Sequence, residues 1–149
     1  MRTATLLLII LLPGFLFSQS FISRPEVQQK LHGFDFWVGE WNVYKTGTDT
    51  IIGFSHIESI LDSVGIQERY RAAGSSYQGT SINKYNFAKQ QWEQYYIDNS
   101  GATLHLKGNV KENKMIMGNE AMTPQGAKIH NRITWHNNPN QTVRQVWEQ

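Results

Sequence analysis

The chain has 149 residues, no cysteine, and 14 Lys and Arg against 12 Asp and Glu, a length that suits one ordinary domain with a buried core. The lack of Cys excludes disulfides, thiol catalysis, Cys-ligated zinc or iron–sulfur centres and a lipid-modified cysteine. The nearly balanced charges are scattered along the chain, which argues against nucleic acid as a partner, since that requires a clustered basic face.

Residues 1–20 read as a signal peptide, with Arg2 as the charged start, an apolar stretch from Leu6 to Leu12, a Pro13-Gly14 break and small polar residues from Ser18 to Ser20. The apolar run from Ala4 to Phe17 is shorter than the roughly 20 residues that span a bilayer, so no integral membrane anchor is expected. Cleavage after Ser18 or after Ser20 fits equally well. The expected product is a single domain over 21–149, periplasmic or extracellular.

The first structural signal after the leader is helical, over 23–31, with Ser23 as N-cap, Pro25 in the first turn and Glu26 three residues after the cap. Glycines and crowded rings from His32 to Trp41 then mark a tight entry into a first strand. From there the apolar period becomes two. Strands are expected at 40–46, 51–61, 65–72, 78–87, 91–98, 103–110, 114–119, 127–136 and 142–148, separated by short turn signals such as Ala73-Gly74-Ser75-Ser76 and Thr123-Pro124-Gln125-Gly126. Short connections favour sequential hairpins, and no crossover helix is present to join parallel strands. The predicted fold is therefore mainly β, an antiparallel up-and-down barrel with one short N-terminal helix.

Four ordered segments carry a resemblance. Phe34-Asp35-Phe36-Trp37-Val38-Gly39-Glu40-Trp41, Gln91-Trp92-Glu93-Gln94-Tyr95-Tyr96-Ile97-Asp98, Arg132-Ile133-Thr134-Trp135 and Val143-Arg144-Gln145-Val146-Trp147-Glu148 together resemble a bacterial family catalogued as domain of unknown function 1579. That resemblance covers roughly 31 to the end of the chain and implies a lipocalin-like (calycin) barrel; Gly39-Glu40-Trp41 is similar to the Gly-x-Trp signature of lipocalin first strands. Members of the family continue past the Val-Arg-Gln-x-Trp-Glu strand into a closing strand, so the resemblance also implies a barrel without its last strand and with two unpaired edges.

Five Trp, six Tyr and seven Phe are many for this length, and large rings serve both sheet packing and ligand-lined cavities. Trp41, Trp92, Trp135 and Trp147 are candidates for an aromatic wall, or for ordinary barrel core. Alternation puts Trp92, Gln94 and Tyr96 on one face, with Gln94 or Arg132 available to orient a ligand's polar end. Arg132 and Arg144, on strands joined by a short hairpin, would jointly hold a carboxylate, or else form ion pairs with Glu68 or Glu148. Glu68 is the candidate buried acid, on a face with Tyr70.

Chemistry beyond binding finds little support. Among His32, His56, His105, His130 and His136 there is no His-Glu-x-x-His, and His130 and His136 sit about 20 Å apart along an extended strand. No resident cofactor is expected, with a single axial histidine for haem left open by analogy with haem-binding lipocalin-like barrels. No Gly-x-Ser-x-Gly occurs, and Gly74-Ser75-Ser76-Tyr77-Gln78-Gly79-Thr80-Ser81 lacks the Lys of a phosphate loop. The expected function is an exported protein that binds a small apolar or amphipathic molecule; the rivals are an enzyme using Glu68 or a histidine in the cavity, and a solid, partner-binding barrel.

Overall fold

A computed structural model describes residues 22–122 and 125–149; the leader, both candidate cleavage positions and Thr123-Pro124 of one expected turn lie outside that range. Helix α1 (Pro25–Leu31) carries Glu26 in its first turn and Lys30 in its last, each complementing the helix dipole. It starts later than the Ser23 cap would place it. The Arg24 carbonyl accepts the first bonds, from the Val27 and Gln28 amides at 3.0 Å, and Pro25 takes the first helical position, where its missing N–H costs nothing.

Leu31–Gln149 is a compact unit of its own. A 3-10 turn at Asp35–Trp37 leads into β1 (Gly39–Tyr44), β2 (Ile51–Ile60), β3 (Gly65–Ala72), β4 (Gln78–Asn86), β5 (Gln91–Asp98), β6 (Thr103–Lys111), β7 (Lys114–Met122), β8 (Lys128–Asn137) and β9 (Val143–Glu148). These nine form one sheet in chain order, each antiparallel to the next. Every neighbour is thus a hairpin partner, as the short turns require. The sheet curls into a half-barrel, the fold expected of an open lipocalin-like barrel, and among the described residues β1 pairs only with β2 and β9 only with β8.

The expected strand ends hold to within a few residues except in β7, which runs on to Met122. Gly118, Asn119 and Glu120 read locally as the end of a strand. Pairing with β8 carries it further, through Asn119 opposite Asn131 and Met122 opposite Lys128. The β2–β3 connection is tighter than its composition implies, since Leu61, Asp62 and Ser63 all take positive φ without a glycine among them.

The register identifies the inner face. Phe34 lies 5.8 Å from the Trp92 ring on β5 and 5.4 Å from the Trp135 ring on β8, centroid to centroid. Three strand spacings in a flat sheet span about 14 Å, too far for one ring to bridge, so the face that carries Trp92 and Trp135 is concave. Phe34 also stacks on Trp37 at 4.9 Å, and Trp37 reaches Trp135 at 5.6 Å. With Tyr85 and Phe87, 5.0 Å apart, these rings seal one end of the concave face. Leu106, Met115, Met117 and Ile133 complete the buried core beneath them.

Candidate functional site

Between β2 and β5 the concave face turns polar. In register, Ser55 on β2, Tyr70 on β3 and Gly79 on β4 form one cross-strand row; Ile57, Glu68, Ser81 and Tyr96 form the next, and Ile66, Asn83 and Gln94 belong to a third. Ser55 Oγ donates to Glu68 Oε1 at 3.1 Å and Ser81 Oγ to Glu68 Oε2 at 3.0 Å. Asn83 Nδ2 donates to Ser81 Oγ at 3.0 Å, and Gln94 Nε2 to Asn83 Oδ1 at 2.8 Å. Five polar side chains from four strands are joined, and Ser55, Ser81, Asn83 and Gln94 are buried. Burial pushes the Glu68 carboxyl above its ordinary range, and the two serine hydroxyls only partly offset this.

Above this network lie three tyrosines. Tyr70 leans over Gly53, and Tyr96 over Gly79, so closely that a Cβ at either glycine would collide with the ring. Glycine is therefore required at both positions by the tyrosine above it. The Tyr77 and Tyr96 hydroxyls are 2.8 Å apart, and Tyr77 donates to Asp98 Oδ2 at 3.0 Å. Burial, then the Tyr77 hydrogen bond, raises the Tyr96 phenol well above its ordinary value, while burial with Tyr77 and Glu68 nearby raises Tyr70. Asp98 is held low, first by its bond from Ser100.

From β6 to β9 the same face is largely apolar, with Leu104, Ile129 and Val143 partly open and Trp147 55% exposed. Its polar interruptions are a small group, in which Asn131 Nδ2 donates to Asn119 Oδ1 at 2.9 Å while Trp147 Nε1 and Gln149 Nε2 each donate to Asn131 Oδ1 at 3.1 Å, together with Asn137 and the exposed Gln145 toward one end. The concave face is thus divided along its width, polar on β2–β5 and apolar on β6–β9.

Of the residues singled out from sequence, Trp41, Glu68, Trp92, Gln94, Tyr96, Trp135 and Trp147 share the concave face. They do not make one continuous wall. Trp92 and Trp135 are 1% exposed and belong to the aromatic seal; Trp41 is half-buried and spends its indole N–H on the Trp37 carbonyl at 2.8 Å; Trp147 stands alone on the open apolar side. Arg132 and Arg144 lie on the convex face and are not brought together: Arg132 is opposite Glu148 and Arg144 opposite His136, four residues apart along β8 or about 13 Å. Arg132 makes a two-pronged pair with Glu148 at 2.9 Å for both bonds, so the alternative of an ion pair describes its contacts.

The strand histidines His56, His105, His130 and His136 all alternate onto the convex face. A haem resting on the concave face would find no imidazole from these strands. Among the described residues no three His, Asp or Glu side chains gather as a metal site, and no helix there is long and apolar enough to cross a membrane.

Residues that sequence reasoning did not single out include Ser55, Ser81, Asn83 and Tyr77, which together with Glu68, Tyr70, Gln94 and Tyr96 make up the polar half of the site. The signal that finds them is strand register: with Glu68 chosen, its cross-strand neighbours across the two hairpins share its face and supply its partners. Comparison with family models and with curated proteins finds no match to this chain.

Proposed function

We propose that the concave face of the half-barrel binds a small amphipathic molecule, and that the chain is an exported binding protein of the family catalogued as domain of unknown function 1579. The observation that carries the reading is the division of that face. Barrel interiors packed for stability alone are apolar, because a buried polar network gains little unless it is fully paired. Here hydroxyls, amides and a carboxyl occupy β2–β5, while open aliphatic positions and Trp147 occupy β6–β9. A ligand with a polar end and an apolar body matches both halves in one orientation. The polar end is uncharged: burial is the first cause of the raised pKa values at Glu68, Tyr70 and Tyr96, so this wall is desolvated and a charge of either sign is costly on it, and no Lys or Arg of β2–β5 faces it to balance an anion. Long-chain alcohols, monoacylglycerols and isoprenols are the ligand class that follows.

The test is native mass spectrometry of the chain expressed at full length and recovered from periplasm or medium. The expected result is a mature chain beginning at Gln19 or Phe21, carrying a neutral amphiphile or gaining one mass increment with 1-decanol or monoolein. Retention of the leader inside the cell refutes export, and an apo mass unchanged by either amphiphile refutes binding.

A further inference from the structure

The opposite, convex face of β1–β4 carries a second concavity, of about 510 Å³, within the roughly 300–1,000 Å³ typical of small-molecule sites. Two cross-strand rows of that face line it, and the row between them, Trp41, Ser55 and Tyr70, whose parity belongs to the concave face, completes the lining. One consists of Asn42, Phe54, Arg71 and Gln78, each opposite the next; the other runs Glu40, His56 and Arg69.

The second row is occupied with itself. Arg69 is hydrogen-bonded to Glu58, and His56 stands 3.4 Å from Glu40 and 3.6 Å from Glu58. The first row is not. Arg71 lies over the Phe54 ring, its guanidinium carbon 4.1 Å from the centroid, and has no hydrogen-bond or ion-pair partner among the described residues. A guanidinium held over an aromatic ring keeps its fork of N–H donors free for a bidentate partner and loses less side-chain entropy on taking one than an unrestrained arginine. The Asn42 and Gln78 amides border the same concavity, adding neutral donors beside the fork.

We propose that this groove is a second binding site, opening on the opposite side of the sheet from the concave face, which takes a small oxyanion with a flat apolar body, its carboxylate or phosphate on the Arg71 fork and its body along the Phe54 ring. The nearby carboxylates do not prevent this, because Arg69 and His56 lie against Glu58, and His56 stands between Glu58 and Glu40. The inner site takes an uncharged head on the other face of the sheet, so the two sites differ in both place and charge.

The experiment is a ¹⁹F NMR titration of the full chain with 4-fluorobenzoate, repeated with Arg71→Gln, with Phe54→Leu, and with Lys111→Gln as a charge control in the distant β6–β7 hairpin. Saturable broadening of the fluorine line is expected, weakened at least about tenfold by Arg71→Gln, measurably weakened by Phe54→Leu and unchanged by Lys111→Gln. Displacement by inorganic phosphate assigns the site to oxyanions in general, and its failure narrows the class to carboxylates. Absence of saturable binding up to roughly 20 mM, or equal binding by Arg71→Gln, overturns the proposal. Neither result depends on whether the concave face binds an amphiphile.

Discussion

The Phe34 ring sits edge-on to Trp135 with 5.4 Å between centroids, which joins the segment before β1 to a strand near the far end of the sheet. Phe34 is fully buried and also meets Trp92 at 5.8 Å. One ring thus bridges β5 and β8 and holds the curl. Phe34→Ala is expected to lower stability by about 3–5 kcal/mol, read as a shifted urea midpoint, whereas Phe34→Leu costs distinctly less.

At Glu68 the relevant variable is pH. Its folded-state pKa is raised by burial, so its stabilising contribution is complete below the ordinary carboxylate pKa and is lost as pH rises through the folded value. Gln fills the same space without acquiring charge. Glu68→Gln is therefore expected to melt higher than the parent at pH 8, with the gap narrowing toward pH 4; thermal unfolding across that range checks it, and a gap that widens on acidification contradicts it.

Glu93 behaves in the opposite sense. On the convex face of β5 it is 3% exposed; burial acts to raise its pKa, but hydrogen bonds from Lys89, Gln91 and Asn86 prevail and bring it down to about 2. Its contribution is present above the ordinary 4.5 and is lost as pH falls through about 2. Glu93→Gln should cost about 1–2 kcal/mol at pH 7, discounted because Lys89 is largely in solvent, and the cost should vanish between about pH 4.5 and 2. Denaturant titrations of both proteins at several pH values make the comparison.

The strand layout was legible because alternation and short turn signals agree from β1 to β9. The site was only partly so. Alternation alone already separates Arg132 from Trp135 on β8, so placing both at one ligand required a face assignment that parity does not support. Ser55, Ser81 and Asn83 carry no local signal at all: they become a site only when the β2–β3 and β3–β4 registers set them beside Glu68 and Gln94. The first of those registers passes through Leu61, Asp62 and Ser63, and propensity anticipates a left-handed backbone only at Asp62, not at Leu61 or Ser63. Phe34 reads as one more ring before a strand, because the two contacts by which it bridges β5 and β8 lie more than fifty residues away.

The tyrosine–glycine contacts are open to a double-mutant cycle. Gly79→Ala forces the Tyr96 ring off its seat and is expected to cost about 1–3 kcal/mol. In a Tyr96→Ala background the same substitution should cost little, giving a clear coupling energy. Additive losses in thermal unfolding would show that the glycine serves the backbone rather than the ring.

The central claim, that the divided concave face receives an amphiphile with an uncharged head, is tested most directly by a ¹H–¹⁵N NMR titration with 1-decanol. The account predicts saturable shifts at Leu104, Ile129, Tyr96 and the Trp147 indole, with Ile82 and Ile97 on the convex face unmoved. Shifts confined to the convex face, or no saturable shift at all, would contradict it.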